Sequence, residues 1–275
     1  MPQLAPTTER TARRVRHETK RRMLQVRDVS RITPKMARIV VGGDDLAGFV
    51  SAAHDDHVKV FLPPPGEEKP VFPEQTPNGP VYPEGAPRPA ARDYTPRRYD
   101  AAANTLTIDF VLHGDGPATV WAAQARPGHF LGVGGPRGSF IVPDDFDWYL
   151  LVGDESALPA IGRRLEELPA GARAVVVADV ADAAEEQKFT TRARLETHWL
   201  HRDGAEPGDP SLLHGAIAAL KLPGGDGYAW VAAEAATAKS LRRLLVDERG
   251  LRKDRVKAAA YWKCGAVAVH ETYDD

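Results

Sequence analysis

The sequence predicts a two-domain α/β chain, an antiparallel β-barrel followed by a parallel-sheet α/β unit, and three observations lead there. The chain has 275 residues, 43% of them hydrophobic, which is more than one domain of about 100 to 200 residues needs and enough to fill two cores. Up to about residue 142 it reads as short β-prone stretches broken by Gly and Pro, without long helices between them. Beyond residue 147 apolar strand-like runs alternate with amphipathic helical ones, the order of a parallel sheet. Charge shifts near the same place: residues 1–140 carry 19 Lys and Arg against 15 Asp and Glu, and residues 141–275 carry 17 against 23.

The elements follow in order. Residues 1–22 form a basic N-terminal tail with Arg10, Arg13, Arg14, Arg16, Lys20, Arg21 and Arg22. Such a run suits either a solvated edge or a nucleic-acid arm, and the solvated edge is the expectation. Strands are predicted over 22–29, 36–41, 58–62, 105–112, 129–133 and 140–142. In 105–112, Leu106, Ile108, Phe110 and Leu112 alternate with Thr107, Asp109 and Val111, the period-2 pattern of a strand with one buried face. Between residues 63 and 89, ten of 27 residues are proline, so this stretch is excluded from helices and central strands. It is predicted as an insertion over 63–91 between barrel strands, either a lid or a decoration without fixed structure. In the second half, strands are predicted over 148–152, 173–178, 228–233 and 256–261, and helices from Leu158, over 210–220 and over 235–249.

Composition narrows the function classes. The apolar run 228–233 is six residues long, far short of the roughly 20 needed to cross a bilayer. The basic N-terminus is not followed by the apolar stretch of a secretory signal. One cysteine, Cys264, permits no internal disulfide, and nine scattered histidines form no Cys/His cluster at metal spacing. A cytoplasmic monomer is expected, without membrane or nucleic-acid partner and without a metal site of its own.

Three stretches carry candidate chemistry. Arg92, Tyr94 and Thr95 put a cation, a flat ring and a hydroxyl on one extended segment, which suits a planar ring beside a phosphate and equally an ordinary polar strand. After the best strand, the run from His113 to Ala122 places Gly116 and Pro117 at a helix start. Its free N–H groups, with the Thr119 hydroxyl close by, make an anion site available. The glycine-rich stretch 132–138 lacks the spacing of a dinucleotide fingerprint and leads into a strand, so it is not one.

Together these motifs resemble the siderophore-interacting proteins, FAD-dependent ferric-siderophore reductases of the ferredoxin-reductase-like superfamily. The marks are the R-x-Y-T segment at Arg92, Tyr94 and Thr95, and the strand end Asp109, Phe110, Val111, Leu112, His113 running into Gly116-Pro117-Ala118-Thr119-Val120-Trp121-Ala122. Further marks are Gly135-Pro136-Arg137-Gly138, the run Gly153-Asp154-Glu155-Ser156-Ala157-Leu158-Pro159-Ala160, the Ala233-Glu234-Ala235 turn and the terminal Tyr261-Trp262-Lys263-Cys264-Gly265. The resemblance implies an FAD-binding barrel over 23–145 and an NAD(P)H-binding domain over 146–275. It implies that Arg92 pairs with a flavin phosphate, that Tyr94 packs along the isoalloxazine and that Thr95 bonds near N5. It further implies that Asp109, Phe110, Val111 and His113 hold the ribityl or adenosine side, and that Gly116, Ala118 and Thr119 take the pyrophosphate. Tyr261 and Trp262 would cover the flavin or adenine, and Asp154, Glu155, Ser156 and Glu234 would face the nicotinamide end of NADH or NADPH. The acidic residues at 154 and 155 depart from the glycine-rich turn of better-known reductases and would repel a phosphate.

The implied reaction moves a hydride from NAD(P)H to FAD and single electrons to a ferric siderophore, releasing Fe(II), which oxygen ligands hold less tightly. Ferric catecholates are anionic, and Lys59, Arg137 and Lys263 are expected to form a cationic docking triad. Two alternatives remain open: a reductase passing electrons to a protein carrier, and a non-enzymatic flavin or siderophore carrier.

Overall fold

The computed structural model describes residues 10–77, 79–266 and 271–273. The first half contributes β1 (Arg13–Arg16), β2 (Arg21–Thr33), β3 (Met36–Gly42), β4 (Val58–Leu62), β5 (Glu74–Thr76), β6 (Gly79–Val81), β7 (Ala90–Tyr94), β8 (Arg98–Asp100), β9 (Thr105–Val111), helix α1 (Pro117–Gln124), β10 (Phe130–Gly134) and β11 (Gly138–Ile141). The second contributes β12 (Trp148–Asp154), α2 (Leu158–Glu167), β13 (Arg173–Val180), β14 (Arg194–His201), α3 (Ser211–Ala219), β15 (Gly227–Glu234), α4 (Ala235–Arg243), β16 (Val256–Trp262) and β17 (Glu271–Tyr273).

Seven antiparallel strands form one sheet in the order β7-β4-β10-β2-β3-β9-β8. Its two edge strands are consecutive in the chain, joined only by residues 95–97. Four chain steps from Tyr94 to Arg98 reach at most about 14 Å, whereas six strand spacings laid flat would separate the edges by about 29 Å. The sheet therefore curls until its edges approach, and Tyr94 on one edge strand packs its ring 4.3 Å from that of Phe110, on the strand next to the other edge. Leu24, Val26, Ile39, Val41, Val60, Leu106, Ile108 and Leu131 fill the interior.

The second sheet has the order β14-β13-β12-β15-β16-β17. The first five strands are parallel, while β17 runs antiparallel to β16, so the sheet is mixed rather than wholly parallel. Along β12, Tyr149 and Leu151 point to the face covered by α2, and Trp148, Leu150 and Val152 to the face covered by α3 and α4. Both faces being covered explains the unbroken apolar runs.

Three expectations are corrected. The basic segment is no free tail: β1 pairs with β11, and Arg10 lies among Asp145, Asp147 and Asp226 of the second half. The proline-rich insertion has fixed structure, since β5 and β6 form a hairpin, Phe72 packs edge-on to Phe61 at 5.5 Å and Arg21 donates to the Pro73 carbonyl. The helix expected over 235–249 keeps its regular form only to Arg243; a wider turn follows, closed by Arg249 N–H to the Leu244 carbonyl. β14 was not anticipated.

Candidate functional site

The sequence-predicted cofactor residues meet at one end of the curled sheet. A row of rings, Tyr94 on Phe110 at 4.3 Å and Phe110 on Trp121 at 5.7 Å, ties β7, β9 and α1 together. Among the described residues Arg92, two residues before Tyr94, hydrogen-bonds the neighbouring Ala91 carbonyl, leaving most of its guanidinium donors for a ligand. Burial pushes the Tyr94 phenol above its ordinary value, so it stays neutral at physiological pH. Helix α1 begins at Gly116 and Pro117 with no side chain capping it. The Thr119 hydroxyl donates back to the His113 carbonyl at 2.9 Å, which leaves the Ala118 and Thr119 N–H groups facing outward without intrahelical acceptors. An uncapped helix start, a cation and a ring on adjoining elements suit a planar cofactor with a phosphate chain, so the residues present fit FAD.

Other predicted residues are engaged differently. Asp109 is 3% exposed and clamps Arg38 through two bonds of 2.8 and 2.7 Å, so its carboxylate ties β3 to β9. Phe110 is wholly buried, and Val111 packs against the second domain's core. His113 contributes its backbone to hold Thr119. Lys59 is paired with Asp93 at 2.9 Å, whereas Arg137 and Lys263 are exposed. Lys59 lies across from Gly134, three residues before Arg137, so these two share one rim. The triad is thus not three free cations, because Asp93 neutralises one of them.

Facing this end, the second domain presents the end of β16. The Tyr261 hydroxyl donates to Asp55 Oδ1 at 2.9 Å and also bonds Thr95, bringing together two residues predicted from distant motifs. Burial, then the Asp55 charge, raises the Tyr261 phenol well above its ordinary value. Lys257, 8% exposed, reaches Asp55 Oδ2 at 2.5 Å and sits 4.0 Å over the Phe140 ring. Trp262 Nε1 donates to Asp154 Oδ2 at 2.7 Å.

At the carboxyl edge of the parallel strands, where such sheets take ligands, carboxylates dominate. Asp154 accepts the Ser156 N–H and hydroxyl at 2.9 and 2.5 Å, and burial raises its carboxyl above the usual value. Glu155 makes a two-pronged pair with Arg202, which also bonds Asp179 at 2.9 Å. Burial outweighs Arg202 and pushes Asp179 up to about 6. Glu234 caps α4 through the Ala236 and Thr237 N–H groups and accepts from Cys264 N–H at 3.3 Å, a positioning role. Gly153 has no room for a side chain: a Cβ there would lie 2.3 Å from Ala157 Cβ and from the Ala232 carbonyl. Its need is close packing of α2 on β12, not a phosphate turn.

Sequence reasoning missed Asp55, Lys257, Asp179 and Arg202. A signal existed for two of them: Lys257 and Asp179 each interrupt an apolar strand, and a charge in a buried strand requires a partner.

Residues 25–140 match the family model for the siderophore-interacting FAD-binding domain, and residues 146–265 match that for siderophore-interacting protein. The chain belongs to the siderophore-interacting protein family. It is 40% identical over 258 residues to the NADPH-dependent ferric-chelate reductase of Escherichia coli, covering 93% of this chain and 98% of that one. It is 34% identical to the ferric vibriobactin reductase ViuB of Vibrio cholerae, over 87% of this chain and 89% of the relative. The crystal structure of a siderophore utilization protein from T. fusca superposes with a TM-score of 0.85 at 43% identity, covering 94% and 98% of the two chains. A ferredoxin reductase of carbazole 1,9a-dioxygenase, at 16% identity and a TM-score of 0.60, shares the fold over 86% of this chain and 68% of its own.

Proposed function

We propose that this chain is an FAD-dependent reductase that uses NADPH to reduce a ferric siderophore and release Fe(II). The observation that carries the reading is the match to an NADPH-dependent ferric-chelate reductase across 93% of the chain, with both family models in order. The curled sheet is read as the FAD-binding barrel over 23–145 and the mixed sheet as the nucleotide domain over 146–275, limits that the two family models support. Bound FAD supplies the exchange between a two-electron hydride donor and a one-electron ferric acceptor.

The chain's own residues bind and orient. Arg92 and the Ala118 and Thr119 N–H groups would hold the phosphates, Tyr94 would pack against the flavin, and Thr95, bonded by Tyr261, would approach its edge. Asp154, Glu155 and Asp179, at the carboxyl edge of the parallel strands, would face the incoming nicotinamide coenzyme, and Arg202 offsets two of these charges. Arg137 and Lys263 draw an anionic iron complex to the rim, and Lys59 joins them by exchanging Asp93 for the ligand. A reducing, cytoplasmic setting suits the exposed Cys264.

The test is direct. Protein purified with FAD should be yellow, bleach anaerobically with NADPH, and form a coloured ferrous-chelator complex when a ferric siderophore is added without any carrier protein. A colourless protein that takes up no added FAD, or a yellow one that NADPH fails to bleach, overturns the reading. Turnover only when a carrier protein is present favours the carrier-linked alternative.

A further inference from the structure

Away from the cofactor residues, a cavity of about 250 Å³ is lined by Arg16, His17, Glu18, Lys20, Arg22, Gly48, Val50, Gly135 and Pro136. Three of its side chains, Arg16, Lys20 and Arg22, are basic, against one carboxylate. Arg22 is the decisive member. It is 3% exposed, yet its Nη1 makes only long bonds to the Lys20 and Gly135 carbonyls, at 3.2 and 3.3 Å, and its Nε has no hydrogen-bond partner. The Phe49 ring lies 5.3 Å from its guanidinium, and among the described residues no carboxylate is in ion-pair contact with it, the charges of Asp45 and Glu18 acting from further off. A guanidinium taken out of water without a counter-charge is costly, and proteins normally pair it. Burial accordingly lowers the Arg22 pKa from its ordinary value.

The walls are held in place around this cation. His17 N–H donates to the Arg137 carbonyl at 2.9 Å and Gly135 N–H to the Lys20 carbonyl at 3.2 Å, lacing residues 16–22 to the 135–137 turn. His17 Nε2 lies 2.7 Å from Ser139 Oγ, which donates to Asp56 Oδ2 at 2.7 Å, so the imidazole is oriented from behind. Arg16 and Lys20 are exposed at the mouth, with Glu18 3.8 Å from Lys20. A preformed cavity lined by a buried arginine whose Nε lacks a partner, with two exposed cations at its rim, has the features of an oxyanion site. Its size suits a single acidic group rather than a whole cofactor.

We propose that this cavity binds one oxyanion, a carboxylate or a phosphate, with Arg22 as the buried partner, Arg16 and Lys20 supplying further charge and the His17 ring lining the wall. The site rests on none of the flavin or coenzyme residues, though its 135–137 wall continues into the rim that carries Arg137. The test titrates FAD-loaded protein by calorimetry with inorganic phosphate and, separately, with citrate, at ionic strength held constant with chloride. One saturable site per chain is expected, with affinity falling about tenfold in the Arg16→Gln/Lys20→Gln double variant and further in Arg22→Gln, while FAD content stays unchanged. Saturation by phosphate alone assigns the site to a free phosphate or phosphoryl group; saturation by citrate alone assigns it to a carboxylate-bearing ligand such as an iron chelate. The double variant alters only exposed side chains and keeps the test decisive if Arg22→Gln fails to fold. No saturable binding of either anion, or full binding retained in the double variant, overturns the proposal.

Discussion

Replacing Asp55 by Asn isolates one buried charge at the junction of the two domains. Lys257 Nζ lies 2.5 Å from Asp55 Oδ2, and the two side chains are 10% and 5% exposed. Asparagine keeps an oxygen to accept the Tyr261 hydroxyl, so the loss falls on the ammonium alone. Removing one partner of a buried pair costs about 3–5 kcal/mol, because the remaining charge stays desolvated. The Phe140 ring 4.0 Å from Nζ offsets at most about 2 kcal/mol of that. A net loss of about 2–3 kcal/mol should lower the melting temperature by roughly 4–10 °C, and urea unfolding should report the same difference. Asp55→Asn/Lys257→Met removes the stranded charge and should recover at least half the loss. The acid limb gives a second reading. Burial raises the Asp55 carboxyl, but the charges of Lys257 and His54 and the bonds from Lys257 and Tyr261 together hold it below its ordinary value. A depressed carboxyl stabilises the fold above the unfolded value of about 3.9 and loses that contribution as pH falls through the folded one. Asp55→Asn should therefore flatten the acid limb. A cost under about 1 kcal/mol, or a double variant whose losses simply add, would refute the argument that this pair is a desolvated latch.

Two more predictions concern the ligand-facing residues. Arg92→Ala removes a charge-assisted phosphate contact and should weaken FAD about ten- to hundredfold, read as lost flavin absorbance in protein of unchanged circular dichroism; full FAD retention would remove Arg92 from the site. Asp179, pushed up to about 6 in the fold, keeps a proton that the unfolded chain releases near 4, so stability should decline as pH rises from about 4 to 6. Asp179→Asn should abolish that decline in urea unfolding at the two ends of the range, and a slope that survives the substitution would assign it to another group.

What could be read from the sequence depended on whether a residue's partner was local. The alternation of Leu106, Ile108 and Phe110 located β9 to within a residue, and Val58–Leu62 matches its predicted strand end to end, since buried faces impose their own period. β14 escaped because Arg194–His201 lies at the sheet edge and mixes Arg, Glu, Thr and His with Leu195 and Trp199. Asp109 looked like a ligand residue because its strand ends beside a motif; its engagement by Arg38, 71 positions away, belongs to pairing across the sheet. Tyr94, Thr95, Ala118 and Thr119 could be proposed from sequence because their chemistry is carried by local segments. The convergence of Thr95, Asp55, Lys257 and Tyr261 was not, because it spans more than 200 residues of chain.

The charge imbalance between the halves also changes meaning once contacts are known. Arg10 of the basic half reaches Asp145, Asp147 and Asp226 at 3.7, 3.2 and 3.5 Å, but those acids are 58, 48 and 37% exposed. Such pairs are each worth less than about 1 kcal/mol and are screened by salt. The Asp55–Lys257 contact has the opposite polarity, acid in the first half and base in the second, and is nearly sealed from solvent. Alongside it, Met36 of β3 is buried in the second domain's core, and Glu185 accepts from the Thr33 hydroxyl at 2.6 Å and from Lys35 N–H at 2.9 Å. The excess charge on each half is therefore not what fixes the domains together. Buried contacts do that, and most of the surplus of arginine and lysine near the N-terminus is left to face solvent and the anion cavity.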